Sequence, residues 1–206
     1  MRIVFDLDGT LICSKRRLYE LFCFLVGHEH LTFSRYWDLK FSGQTNKEIL
    51  RNSFGFSDPQ VDAFVKKWMF LIEDDQYLAL DTVIEGVPRL LSALSKKHDL
   101  YLCTARQSAN KAHEQLDSLA LKDHFKEILV TEQRSTKEEL LKTCGVRFGF
   151  ADWMIGDTGH DILTGKALGM KTCAVLSGFM SEASLVSYKP DSILPFVSYF
   201  EIDRVK

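Results

Sequence analysis

Ile3-Val4-Phe5-Asp6-Leu7-Asp8-Gly9-Thr10 is a short apolar run that ends abruptly in two carboxylates. It is β-branched and aromatic, lacks proline and stops at a glycine, the pattern of a buried strand. Alternation along a strand puts Asp6 and Asp8 on one face. Paired carboxylates at a buried strand end are unfavourable unless a cation or a proton neutralises one of them. The pair therefore points to a reaction site, with one carboxylate as nucleophile and the other as acid/base. Asp8-Gly9 also fits an ordinary turn.

Four later apolar runs share this shape, at residues 100–103, 128–130, 153–155 and 172–176. Helical periodicity precedes each of them, for example at 87–94, 109–116 and 137–141. Strands alternating with helices predict a doubly wound parallel α/β sheet with helices on both faces. Ligands of such sheets bind outside the carboxyl ends of the strands, near the point where the strand order reverses.

Residues 14–81 interrupt the alternation and hold more than half of the aromatics, among them Phe22, Tyr36, Trp37, Phe64 and Trp68. Apolar spacing over 18–26 and 61–71 is helical, and Asp58-Pro59 suits the start of the second helix. A helical cap over 14–81 is expected, inserted into a core of 1–13 and 82–206. The expected hinges lie near Ser14 and Asp81.

The length of 206 residues fits such a core with an insert, and 46% hydrophobic content excludes global disorder. A net charge of −2 favours neither nucleic acid nor an anionic membrane. The five cysteines form no CxxC pair, which argues for free thiols in a reducing compartment. Cys103 and Cys173 lie in apolar runs and read as core residues. The first residues run straight into the acidic strand end, so no signal peptide is expected, and a cytoplasmic location is.

Three later strand ends deliver useful chemistry. The run at 100–103 delivers Thr104, able to donate to an anion or to cap the next helix. The run at 128–130 leads to Lys137 in the first turn of a helix, which Ser135 or Thr136 can cap with Glu138 or Glu139 three residues on. The run at 153–155 delivers Gly156-Asp157-Thr158-Gly159-His160-Asp161, a second acidic pair. Taken singly, Lys137 reads as a solvated helix residue and Asp161 as a carboxylate favoured by a helix N-terminus.

Taken in order, Asp6-Leu7-Asp8-Gly9-Thr10, Thr104, Lys137 and Gly156-Asp157 through Asp161 resemble the motifs of the haloacid dehalogenase superfamily of aspartate-nucleophile phosphatases. The insert, Gly86-Val87-Pro88 and the run from Gly156 to Gly178-Phe179 resemble its phosphoglycolate phosphatase-like subgroup. Lys137-Glu138 and Thr104-Ala105-Arg106 depart from that subgroup, which often has Lys-Pro and a Thr followed by Asn or Ser.

The resemblance implies that Asp6 attacks phosphorus and Asp8 serves as acid and base. Thr104 and Lys137 would neutralise phosphoryl oxygens, joined by backbone N–H groups near Leu7 and Asp8, and Gly9 and Thr10 of the same loop are expected to contact the substrate. It also implies Mg2+ held by Asp6, the Asp8 carbonyl and Asp157, with Asp161 as ligand or support. The expected substrate is a small phosphorylated metabolite, an organic phosphate monoester of phosphoglycolate type by the subgroup resemblance, and a sugar-phosphate mutase, a pyrophosphatase or nucleotidase, and a non-catalytic binding protein are the alternatives.

Substrate contacts are expected from Ala105 and Arg106, from Gln44 and Lys47 in the turn 42–47, and from Lys15-Arg16-Arg17. Lys47 would suit a second anionic group of the substrate. His160 reads as a variable loop residue, and His28 with His30 as a surface loop that lacks a third metal partner.

Overall fold

The computed structural model describes residues 1–27 and 31–202, so His28 and His30 lie outside the described residues. Strand β1 (Arg2–Phe5) leads through a tight loop into β2 (Ile12–Cys13). Helices α1 (Lys15–Val26), α2 (Phe33–Phe41), α3 (Asn46–Phe54), α4 (Asp58–Leu71) and α5 (Asp75–Leu78) follow. The chain returns through β3 (Thr82–Val83) and α6 (Val87–Leu94) to β4 (Asp99–Thr104). Beyond it come α7 (Ala109–Ser118), β5 (Glu127–Val130), α8 (Lys137–Thr143) and β6 (Trp153–Gly156). The last elements are α9 (Gly159–Ala167), β7 (Lys171–Val175), α10 (Glu182–Ser187) and β8 (Ser192–Leu194).

Six strands form one sheet in the order β5-β4-β1-β6-β7-β8, and every pairing within it is parallel. The alternation of side chains along β1 explains why it sits in the middle. Ile3 and Phe5 enter one apolar cluster with Leu102, Trp153 and Val175, whereas Val4 enters another with Cys103 and Met154. Both faces are therefore covered by helices, as a parallel sheet requires. The chain works outward from β1 to β4 and β5, then crosses back to β6, so the order reverses at β1. Open α/β sheets bind ligands at such a reversal.

The sequence pattern carries no hint of the two-residue strands β2 and β3. They pair antiparallel, with Ile12 opposite Val83 and Cys13 opposite Thr82, and so tie the outgoing chain to the returning chain. The helices between them bury Phe22, Tyr36, Ile49, Leu50, Val61 and Phe64 in a cluster of their own. Phe22 is fully buried at its centre, against the rings of Tyr36, Phe54 and Phe64. Local chemistry starts these helices. Thr45 with Glu48 and Ser57 with Gln60 form capping boxes, and Pro59 lies in the first turn of α4, where its missing N–H is harmless. No helix among the described residues is long and apolar enough to cross a membrane.

The aromatic cluster touches the core at one point of aromatic stacking. Trp37 of α2 lies 5.8 Å from Phe179 with the rings 16° from parallel. The loop after β1 is equally tight. Gly9 has φ +84°, a region side-chain-bearing residues rarely adopt, and a Cβ there would lie 2.6 Å from Asp157 Oδ2.

Two substitutions test this packing. Phe22→Ala should cost about 3–5 kcal/mol by removing a ring from a filled site, read by urea unfolding. A cost below about 1 kcal/mol would mean that the aromatic cluster is not packed as described. Gly9→Ala should lower Tm more than Gly43→Ala, because Gly43 also has positive φ (+93°) but a Cβ there meets nothing within 4 Å. Equal shifts would show that strain, and not the approach to Asp157, governs the position.

Candidate active site

The carboxyl ends of β1, β4 and β6 open into a cavity of about 640 Å³. Asp6, Asp8, Thr104, Lys137, Asp157 and Asp161 all line it, so residues 155 positions apart in sequence converge on one site. Alternation does not account for the placement of Asp6 and Asp8, because β1 ends at Phe5 and the chain turns. The Asp6 N–H donates to the Ile155 carbonyl at 2.9 Å, which fixes the nucleophile candidate between β1 and β6. The two carboxylates then enter separate ion networks.

Asp6 belongs to the first network. Lys137 Nζ donates to Asp6 Oδ1 at 2.5 Å and to Asp161 Oδ1 at 2.6 Å. Lys137 projects from the first turn of α8, whose start is set by a capping box between Thr136 and Glu139. Asp161 is fixed in turn by the Thr158 hydroxyl (2.6 Å) and N–H (3.1 Å) at the start of α9. Burial pushes the Asp6 carboxyl up to about 6, against the downward pull of Lys137. Lys137 itself is held protonated, since Asp161 and Asp6 outweigh the desolvation of its ammonium.

Asp6, Asp157 and Asp161 are all buried and offer oxygens within 4.8 Å of one another. Asp157 Oδ2 accepts from the Phe179 N–H at 2.8 Å, but Oδ1 is buried without a hydrogen-bond partner. Desolvation and the neighbouring Asp6 and Asp161 raise the Asp157 carboxyl well above the usual range. An orphaned carboxylate oxygen in an all-oxygen cluster fits a hard divalent cation. The Asp8 side chain is not part of this trio, which leaves only its carbonyl for such a role.

Asp8 is the centre of the second network. Arg106 grips both of its oxygens, Nε to Oδ2 at 2.5 Å and Nη2 to Oδ1 at 2.9 Å, and Arg17 Nη2 donates to Oδ1 as well. Asp81 ties the two arginines together, 3.2 Å from Arg17 Nε and 3.3 Å from Arg106 Nη2. Burial alone would raise the Asp8 carboxyl, but Arg106 and Arg17 prevail and hold it far below the usual carboxylate range. Asp81 shows the opposite balance. Burial dominates there and pushes it up to about 6.

Other expected contacts differ. Thr104 is buried and lines the cavity, and it does not cap α7, because Ser108 does so by accepting from Lys111 N–H. Ala105 and Arg106 line the cavity too. Gly9 and Thr10 do not, because their N–H groups serve the loop itself, donating to the Ile12 and Leu7 carbonyls. The Thr10 hydroxyl instead reaches Asp6 Oδ2 at 3.5 Å.

Gln44 and Lys47 also lie outside the cavity lining, since the Thr45 cap and the start of α3 leave Lys47 exposed. Of Lys15-Arg16-Arg17, only Arg17 lines the cavity, while Arg16 is exposed. His160 is exposed on the rim, in the first turn of α9. Glu73 carries no signal in the sequence, and Asp81 is expected there only as a hinge position, not as the partner of two buried arginines. Glu73 accepts from the N–H groups of Gln107 and Ser108, at 2.6 and 3.0 Å. The one signal for Asp81 is its place next to the returning strand.

Comparison with known proteins places this geometry. A curated relative, Pyrophosphatase PpaX of Bacillus mycoides, is 26% identical over 204 residues, covering 95% of this chain and 93% of its own. Among solved structures, a haloacid dehalogenase-like family hydrolase from Streptococcus pneumoniae superposes with a TM-score of 0.74 at 24% identity, covering 93% of this chain and 92% of that one. A predicted phosphoglycolate phosphatase from Haemophilus somnus gives 0.73 at 18% identity, covering 95% and 94%. These two likenesses concern the fold. The family model for haloacid dehalogenase-like hydrolases matches residues 3–175, from β1, which leads into Asp6, to the end of β7, and the chain belongs to that family.

Proposed function

We propose that this hydrolase is a Mg2+-dependent phosphatase that cleaves a small organic phosphate monoester through an aspartyl-phosphate on Asp6. The observation that carries the reading is the Asp6 carboxylate in the cavity lining, held by Lys137 beside the orphaned Asp157 oxygen. Asp6, Asp157 and the Asp8 carbonyl would hold the ion, with Asp161 beside them. Bound there, Mg2+ would offset carboxylate repulsion and draw charge from the phosphoryl oxygens.

The chain's own groups divide the remaining work. An Asp6 oxygen forms the new bond to phosphorus as the bond to the leaving oxygen breaks, and the departing alcohol takes a proton from Asp8. Water then attacks the aspartyl-phosphate, gives a proton to Asp8 and releases phosphate. Lys137 and the Thr104 hydroxyl neutralise phosphoryl oxygens, the main task in phosphoryl transfer. Arg106 and Arg17 favour the ionised form of Asp8, which suits proton uptake from water in the second step, whereas the first step draws on the minor protonated form and is therefore the one sensitive to leaving-group basicity. On this reading residues 14–81 act as a lid over a catalytic core formed by 1–13 and 82–206, and exclude water when closed.

Phosphate release from a panel of phosphomonoesters, with and without Mg2+, tests the proposal. Release is expected only with the ion, and acid-quench mass spectrometry should find a phosphoryl adduct on Asp6. Asp6→Asn should lower turnover by roughly 10³-fold or more. Near-normal activity of the purified variant would sink the covalent mechanism. Asp8→Asn should slow an alkyl phosphate far more than nitrophenyl phosphate, whose leaving group departs without a proton. Equal losses on both would remove Asp8 from the acid role. Mg2+ should raise the Tm of the wild type, and Asp157→Asn should abolish most of that rise. An undiminished rise would place the ion elsewhere.

A further inference from the structure

The cavity's volume of about 640 Å³ falls within the roughly 300–1,000 Å³ range of pockets that enclose whole organic ligands. Its walls differ in chemistry. The core wall carries four of the carboxylates, Asp6, Asp8, Asp157 and Asp161, with Arg106 and Lys137. The opposite wall is formed by Leu18 of α1, Met69 of α4 and Ile72 just beyond α4, with Arg17 and Glu73 at its edge. Phe179 extends the apolar surface from the core side.

Charge adds a second constraint. Five carboxylates line the cavity against three cations, Arg17, Arg106 and Lys137, a formal balance of −2 before any histidine is counted. All three cations are ion-paired, Lys137 to Asp6 and Asp161, and the two arginines to Asp8 and Asp81, with Arg106 Nη1 the one buried guanidinium donor among them left without a charged or hydrogen-bonding partner. A divalent cation would cancel that balance, and the transferred phosphoryl group would then bring its own negative charge.

Among the described residues, a second anionic group on the substrate would meet no lining cation that is not already ion-paired. Lys15 lies off the lining over the Trp37 and Phe41 rings, 5.6 and 4.9 Å from their centroids, and Lys47 is exposed outside it. The rim offers uncharged polar side chains, Gln133 and Ser135, beside His160.

We infer that the leaving group is an uncharged, partly apolar alcohol, bearing an aryl or branched alkyl portion seated against Leu18, Met69 and Ile72. Carboxylate- or phosphate-bearing leaving groups, such as glycolate or a second phosphoryl group, are selected against. The inference rests on the phosphatase reading and specifies which phosphate esters that site takes. Apolar contact on this wall rewards the leaving group, whereas a second anion there must be desolvated without a partner.

The experiment compares benzyl phosphate, phosphoglycolate and pyrophosphate in the presence of Mg2+. Benzyl phosphate and phosphoglycolate both release alcohols, so their ratio reports recognition more than leaving-group basicity. The kcat/KM for benzyl phosphate should exceed that for phosphoglycolate about 10-fold or more, chiefly through KM. Met69→Lys puts a cation on the apolar wall at a position already 39% exposed, so folding should tolerate it.

That variant should shift the ratio about 10-fold toward phosphoglycolate. Equal or reversed preference in the wild type, a preference for pyrophosphate, or an unchanged ratio in Met69→Lys overturns the leaving-group assignment and leaves the phosphatase reading intact. No phosphate release from these compounds or the wider monoester panel overturns the phosphatase reading itself, and this inference with it.

Discussion

Lys137 holds two buried carboxylates, Asp6 and Asp161, on a single ammonium at 2.5 and 2.6 Å. Without a cation there, the carboxyl end of the sheet would concentrate negative charge in a region where water cannot screen it. The same constraint recurs at Asp8, where two guanidiniums replace the ammonium. It is left unmet at Asp157, whose free oxygen has no donor among the described residues. The site is thus built around charge that the protein neutralises in two places and leaves available in a third.

The fold supplies the geometry for this arrangement. A parallel sheet aligns its carboxyl ends, and the reversal at β1 keeps the outgoing β4 and β6 loops from crossing above the same edge. Thr104 comes from one side of β1 and Asp157 from the other. Gly9 and Gly178 let the loops close on Asp157, since a Cβ at either position would run into its carboxylate. Helix starts complete the placement, with Thr136 setting Lys137 in the first turn of α8 and Thr158 orienting Asp161 in α9.

The second network also connects the chain's two passages between the sheet and the helical insert. Arg17 follows β2 and Asp81 precedes β3, and the two residues meet over Asp8 with Arg106 from the loop after β4. Glu73 adds a further tie to the N–H groups ahead of α7. Any movement of the insert must therefore act on residues that hold Asp8. An ordinary solvated linker at this point would have left Asp8 independent of the helices above it.

The sequence by itself determined the parallel α/β sheet, because the alternation of Ile3, Val4 and Phe5 and the spacing of later apolar runs are local properties. It also placed Asp6, Thr104 and Asp157 at the ends of such runs and Lys137 at the start of the helix after another, since each motif is read without knowing its neighbours. Tertiary structure alone decided the partners. Arg106 lies 98 residues from Asp8 and 25 from Asp81, separations over which no helical or strand period carries information. Arg17 stands in a basic stretch that suits a substrate contact or solvated surface equally well, and only the folded chain buries it against the Ile72 carbonyl beside two carboxylates. Lys47 shows the reverse, a turn residue chemically suited to an anion but left outside by the capped start of α3. Charge and residue type are written in the chain, whereas burial, which decides what a charge must pair with, exists only once the chain has folded.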